Sequence, residues 1–195
     1  MSDRPSPTIV VAEDEAIIRL DLVETLREEG YDVIGQTGRG DEAIQLVNEL
    51  GPDLAILDVR MPGLDGIEVA REIGEARTAA VLILTAFGQR ELVERAAEAG
   101  ALAYLVKPWL RSDLVPAIEM ALARHREVVE LSEQNVNLAD QLETRKAVDR
   151  AKGILMDVHA MSEAEAFRFV QTTAMGSRRS MREVADEIIE GTLTP

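Results

Sequence analysis

Five short runs rich in Val, Ile and Leu alternate with segments of helical periodicity over residues 1–120, and this alternation leaves little choice of fold. The runs lie near 8–12, 32–37, 53–57, 80–84 and 103–106. After the first, Ile17, Leu20, Val23 and Leu26 recur at helical spacing before Gly30. Ala43, Leu46, Val47 and Leu50 do so before Gly51-Pro52, and Leu92, Val93, Ala96 and Ala97 before Gly100, where glycine ends a helix without steric cost. Strands apolar throughout are buried on both faces, and helices inserted between them make the strands parallel with right-handed crossovers. The pattern predicts an α/β domain: a five-stranded parallel sheet covered by helices on both sides.

Charged residues sit where three of these strands should end. Glu13-Asp14 follows Thr8–Ala12, Asp58 follows Leu54–Leu57, and Lys107-Pro108 follows Ala103–Val106. Ligand sites in open α/β sheets lie beyond the carboxyl ends of the strands. If the strands are neighbours, three carboxylates and one ammonium converge in one crevice. Carboxylates that close repel one another, so the cluster calls for a hard divalent cation, with Mg2+ the first choice, and the cation would recruit phosphate. A lone strand-end Asp is ordinarily a helix cap or a solvated loop acid. Its occurrence together with Glu13-Asp14 and Lys107-Pro108 points to a site.

Composition bounds the rest. The 195 residues have room for one domain of about 120 residues and a smaller one. With no cysteine, disulfides and thiolate metal sites are excluded. The start, Met1–Pro7, is polar, and no apolar run reaches the length of a membrane span, so a cytoplasmic location and no membrane partner are expected. A net charge of −15 argues against nucleic acid as a partner, but the charge is uneven. Residues 1–120 carry 11 Lys and Arg against 23 Asp and Glu, whereas 144–182 carry 8 against 4. A basic segment is tethered to an acidic body.

The motifs Val10–Glu15, Leu57–Gly66 (LDVRMPGLDG), Leu84-Thr85-Ala86 and Tyr104–Pro108 (YLVKP) resemble, in order and spacing, the receiver domain of two-component response regulators over residues 7–122. The resemblance implies a flavodoxin-like fold with sheet order 2-1-3-4-5 and phosphorylation of Asp58 by a sensor histidine kinase. It also implies that Asp14 ligates Mg2+ directly, Glu13 partly through water, and the main-chain carbonyl of Arg60 as a further ligand beside Asp58. Lys107 would neutralise a phosphoryl oxygen and hold Asp58 before phosphorylation. Thr85 would donate its hydroxyl to another oxygen, with Tyr104 swinging in behind it as the second member of a switch. Arg60 and Phe87, each two residues beyond a site residue, would flank the path of attacking water. Lys107-Pro108 is a candidate cis bond, and Trp109 is expected to pack at the edge. A haloacid dehalogenase-type enzyme also phosphorylates a strand-end Asp, but needs a second Asp two positions on, where Arg60 stands. The chain is read as a regulator, not an enzyme.

Beyond Ser112 the character changes. A helical pattern free of Gly and Pro runs from Ala117 to Lys152, with Ala121, Val128, Asn135 and Leu142 at one heptad position and Leu131 and Leu138 at another. This stripe suits either a coiled-coil seam or packing within the chain. Two Ser-x-x-Glu capping boxes, at Ser162 and Ser180, start further helices with apolar sets Ala166, Phe167, Val170, Ala174 and Val184, Ala185, Ile188, Ile189. With Val148, Ala151, Ile154, Leu155 and Val158 they predict a three-helix bundle.

Arg145–Met156, Met161–Phe167 and Met181–Ala185 resemble the ANTAR domain over roughly 135–191, which gives a receiver at 7–122, a linker helix at 123–144 and an ANTAR domain at 145–191. The resemblance implies binding of hairpin RNA in nascent transcripts and prevention of termination, as in the phosphorylation-dependent antitermination regulators of actinobacteria. Arg145, Lys146, Arg150 and Lys152 lie on adjoining sides of one helix, and Arg178, Arg179 and Arg182 gather before and within the last helix. Together they are the expected phosphate-facing surface. Phe167 and Phe169 are the only aromatics there that could stack on bases, with Phe167 expected in the core. In this reading a second copy of the chain is a candidate partner on phosphorylation, and the alternatives are a receiver-controlled DNA-binding regulator, which no compact helix-turn-helix pattern supports, and a protein-interaction module.

Overall fold

The computed structural model describes residues 6–86 and 90–195, with side chains for these except 90, 91, 133, 135–137 and 139. Five strands and the helices between them follow in strict alternation: β1 (Thr8–Ala12), α1 (Ala16–Glu28), β2 (Asp32–Thr37), α2 (Gly40–Leu50), β3 (Leu54–Asp58), α3 (Gly66–Ala76), β4 (Ala80–Thr85), α4 (Arg90–Glu98) and β5 (Ala103–Val106). All pairings are parallel, and the sheet order is β2-β1-β3-β4-β5. The fold is the flavodoxin-like one expected.

Alternation along each strand divides the core into two layers. Ile9, Val11, Leu54, Ile56, Leu82 and Leu84 face one side, where they meet Leu22 and Leu26 of α1 and Leu114 and Ile118 further along. Val10, Ala12, Ala55, Leu57, Val81 and Ile83 face the other, against Val47 of α2, Ile67 and Ile73 of α3 and Ala96 of α4. The glycines read as helix stops, Gly30, Gly51 and Gly100, all carry positive φ.

One helix face differs from expectation. In α1 Leu22, Val23, Thr25 and Leu26 are buried, but Ile17 is 85% and Leu20 58% exposed. The sequence carries two overlapping apolar stripes, and the one through Ile18, Leu22 and Thr25/Leu26 wins because it aligns with the sheet.

A single helix, α5 (Arg111–His159), continues from the first compact unit, Met1–Val129, into the second, Glu130–Pro195. It exceeds the Gly- and Pro-free stretch at both ends. Pro116 is its sixth residue, so only one hydrogen bond near the first turn is lost, and Gly153 costs about 1 kcal/mol relative to Ala without breaking the helix. Of the heptad positions, Ala121 is fully buried in the first unit's core, whereas Val128, Leu131, Leu138 and Leu142 are exposed. The side chain of Asn135 lies outside the described residues.

In the second unit, α5 packs with α6 (Glu163–Ser177) and α7 (Met181–Glu190). Both capping boxes form: Ser162 and Ser180 accept from Glu165 and Glu183 main-chain N–H, and each glutamate accepts in return from the serine N–H. The core is Val148, Ala151 and Leu155 against Ala166, Val170, Ala174, Val184, Ala185 and Ile188. Two members of the expected core are outside it. Val158 is 69% exposed, because the chain turns away at Ala160, which has positive φ. Phe167 is 42% exposed, being rotated about 100° from the buried Ala166–Val170–Ala174 stripe, and Phe169 is the aromatic that packs at the core's edge.

Candidate functional site

The sheet order reverses between β1 and β3, and the crevice beyond that point gathers the charged strand-end residues. Ala12 is level with Leu57 and Asp58 with Leu84, so Glu13 and Asp58 lie at one level and Thr85 one residue beyond it. Asp58 and Thr85 are the last residues of their strands rather than the first beyond them. Ligand atoms of Glu13, Asp14 and Asp58 all fall within 4.8 Å of one another. A cavity of about 460 Å3 opens over them, lined by Asp14, Asp58, Arg60, Thr85, Leu92 and Lys107 among others.

Lys107 is the electrostatic hinge of this cluster. Its Nζ lies 2.7 Å from Asp58 Oδ1 and also donates to Glu13 Oε2. The Lys107-Pro108 bond is cis, and Lys107 N–H donates to the Thr85 carbonyl at 2.8 Å. The other Asp58 oxygen, Oδ2, accepts from Arg60 N–H at 3.1 Å. Glu13 is fully buried, with Oε1 accepting from Glu15 N–H at 3.3 Å. Its burial pushes the Glu13 pKa up, as does the Asp58 charge, against the opposing pull of Lys107. Burial alone would lower the Lys107 pKa, but its bonds to Asp58 and Glu13 win and raise it.

Space around Asp58 is closed from behind. A Cβ on Gly66 would come within 2.0 Å of the Asp58 carbonyl oxygen, so α3 can begin there only with glycine. Asp65 caps that helix, accepting from Ile67 and Glu68 N–H in a capping box the sequence reading passed over, although Asp65 and Glu68 have its spacing. Arg19, also passed over, donates to the Glu13 carbonyl from the first turns of α1.

Tyr104 stands apart from the cavity. It is level with Ile83 on β5 and 49% exposed. Trp109 packs against the α1/α5-side core. Phe87 lies outside the described residues.

Three carboxylates against one ammonium leave a local excess of negative charge. All the donors are hard oxygens, a set suited to a divalent cation. Raising Glu13's pKa means that its contribution to stability is lost as pH rises from the ordinary value of 4.5 through the raised one. A bound cation should abolish that loss. Mg2+ at a hundredfold excess over its Kd is expected to stabilise the protein by about 2.7 kcal/mol at pH 7, on the order of 10 °C in Tm, and by much less near pH 4. Thermal melts with Mg2+ or with chelator at both pH values check this. Equal shifts at the two would contradict it.

Five of the second unit's basic residues line two grooves. Lys146, Arg150 and Arg182 line one groove of about 210 Å3 between α5 and α7. Arg145 and Lys152 line another, of about 440 Å3, with Phe167 and Met181. Arg178 and Arg179 line neither of these grooves; Arg178 caps α6 with positive φ, and Arg179 is paired with Glu187. Several of the cations are already engaged: Lys146 with Glu143, Lys152 with Asp149 and Glu163, and Arg182 with Asp140.

Fold, cluster and C-terminal bundle together define a two-component response regulator. The chain matches the response regulator receiver domain over residues 9–119 and the ANTAR domain over 137–189, and belongs to the receiver family with an ANTAR domain as its second module. It is 52% identical over 187 residues to the transcriptional regulatory protein PdtaR of Mycobacterium tuberculosis, covering 96% of this chain and 91% of that one. Among solved structures, the signal receiver domain of the response regulator NarL from M. tuberculosis matches with a TM-score of 0.59 and 30% identity, over 62% of this chain and 98% of that one. A chain of the CheX-CheY-BeF3-Mg+2 complex from Borrelia burgdorferi matches with a TM-score of 0.54 and 26% identity, over 57% and 85%. Among the described residues no helix is long and apolar enough to cross a membrane.

Proposed function

We propose that this chain is a cytoplasmic response regulator, with a receiver at 7–122, a linker helix at 123–144 and an ANTAR domain at 145–191. In this reading a sensor histidine kinase phosphorylates it on Asp58, and it then controls gene expression by binding hairpin RNA and preventing transcription termination. The observation that carries the first half is the convergence of Asp58, Glu13 and Asp14 within 4.8 Å beneath an open cavity, with Lys107 bonded to Asp58. An Asp58 carboxylate oxygen attacks the phosphorus of the kinase's phosphohistidine, the P–O bond forms as the P–N bond breaks, and an acyl phosphate results. Asp14, Asp58, the Arg60 main-chain carbonyl and, partly through water, Glu13 would hold Mg2+, which would supply charge neutralisation for the transferring group. Lys107 neutralises a phosphoryl oxygen and Thr85, on the cavity wall, donates its hydroxyl to another. Tyr104, outward in this structure, then turns in behind Thr85 to change the β5 surface.

The second half is supported by the basic balance of 144–182 and by Arg145, Lys146, Arg150, Lys152, Arg178, Arg179 and Arg182 on the bundle. The exposed leucines and Val128 along α5 support pairing of two chains on phosphorylation, which would set two RNA-binding bundles side by side. RNA crosslinking in cells, comparing wild type with Asp58→Asn, is expected to recover hairpin segments of transcripts from the first and to lose most of them from the second. Recovery of duplex DNA instead, or no nucleic acid, would overturn the RNA reading.

A further inference from the structure

The turn from β2 into α2 supplies none of the expected metal ligands, yet it touches both segments that do. On one side, Ala12 is level with Thr37, and Glu13 N–H donates to the Thr37 carbonyl at 3.0 Å. A Cβ on Gly38 would lie 3.7 Å from Asp14 Cα, so the turn rests directly against the Glu13-Asp14 segment. On the other side, Gly40 N–H donates to the Pro62 carbonyl at 3.1 Å. A Cβ on Gly40 would come within 2.0 Å of the Leu64 carbonyl oxygen, an approach only glycine allows. Asp41 is held by Arg39 through bonds of 3.0 and 2.8 Å, and its Oδ1 would be 2.4 Å from a Cβ on Gly63. Residues 37–40 therefore form a bracket between the strand end that carries Glu13 and Asp14 and the loop that follows Arg60.

One hydroxyl fixes the shape of this bracket. Thr37 is 6% exposed, and its Oγ1 accepts from Arg39 N–H at 3.1 Å while donating to Glu42 Oε2 at 2.5 Å. These two bonds close the turn on itself and tie down the residue before α2, which makes no side-chain capping bond. Mg2+ demands near-octahedral geometry with ligands at about 2.0–2.1 Å, whereas Ca2+ accepts irregular coordination at about 2.3–2.6 Å. The spacing of two ligand-bearing segments thus matters far more to the smaller ion. We propose that Thr37 is a positioning residue for the metal site: its hydroxyl holds the bracket that sets the separation of Asp14 from the Arg60 carbonyl, and so favours Mg2+ over Ca2+. The proposal rests on the metal reading above and adds to it a group outside the ligand set that tunes the choice of ion.

The test is calorimetric titration of the full-length protein with Mg2+ and, separately, with Ca2+. Thr37→Val removes the hydroxyl and keeps the branched shape, and it is expected to weaken Mg2+ binding on the order of tenfold while Ca2+ affinity is little changed. Thr37→Ser should keep both affinities at the wild-type values. Glu42→Ala removes the hydroxyl's acceptor, a side chain 54% exposed, and should lower Mg2+ affinity in the same selective way by a smaller factor. That variant decides the matter if Thr37→Val fails to fold. A merely structural role for Thr37 would lower the melting temperature without metal and leave the ratio of the two affinities as it is. A wild-type ratio in Thr37→Val and Glu42→Ala, or a loss in Thr37→Ser equal to that in Thr37→Val, would overturn the bracket and leave the metal site standing. Absence of Mg2+ binding by wild type, or binding that survives Asp14→Asn together with Asp58→Asn, would overturn the metal reading and the bracket with it.

Discussion

Incubated with a small phosphodonor and Mg2+, the protein is expected to take up one phosphoryl group, and Asp58→Asn to take up none. The site holds three carboxylates, and their environments set them apart. Glu13 is fully buried beneath the cavity and is not among the residues that line it, so a phosphodonor in the cavity does not meet its oxygens. Asp14 is exposed at the cavity's rim. Asp58 is 5% exposed, ends the central strand and opens onto the cavity, with Lys107 and the Arg60 N–H fixing its plane. An amide at this position keeps the shape and loses the nucleophile, so the loss should be complete by mass spectrometry of the intact protein rather than partial. Labelling that persists in Asp58→Asn, or that is indifferent to chelation of Mg2+, would refute the assignment.

What the chain's letters reveal depends on how local the cause is. The five strands were legible because burial on both faces makes each a continuous apolar run, and Asp58, Thr85 and Lys107 were legible because strand ends define a level in a parallel sheet. Glu13 was placed by the same logic, but its fate as a fully buried, Lys107-bonded acid depends on a partner 94 residues away. Helix faces were less readable. Ile17 and Leu20 lie on one of two plausible stripes of α1, and only the docked sheet chooses between them. Phe167 is next to a buried alanine in an apolar cluster, so a linear reading counts it as core, although its helical phase turns it outward. The engagement of the basic residues was invisible for the same reason as Glu13's: Lys152 meets Glu163 across 11 residues, and Arg182 meets Asp140 across 42.

That engagement changes which cations should matter most for RNA. Lys146, Arg150 and Arg182 share one groove, and among the described residues Arg150 makes no ion pair. Lys146 and Arg182 are held by exposed carboxylates, Lys146 at 2.8 Å from Glu143 and Arg182 at 3.0 Å from Asp140 and 3.9 Å from Asp186. Exposed pairs of this kind contribute about 0–1 kcal/mol, so exchanging a carboxylate for a phosphate costs little, and Arg150 has nothing to give up. The double variant Lys146→Ala with Arg150→Ala is therefore expected to weaken hairpin binding by one to two orders of magnitude at low salt without unfolding the bundle, since neither residue belongs to its core. Each phosphate contact removed should also lower the slope of log K against log salt by about one, so the variant's slope should be shallower by about two. The pairing of the two readouts matters, because a structural defect would lower affinity without that change in slope. An unchanged slope in the double variant, together with loss of binding in Arg178→Ala, would move the contact surface to the turn between α6 and α7.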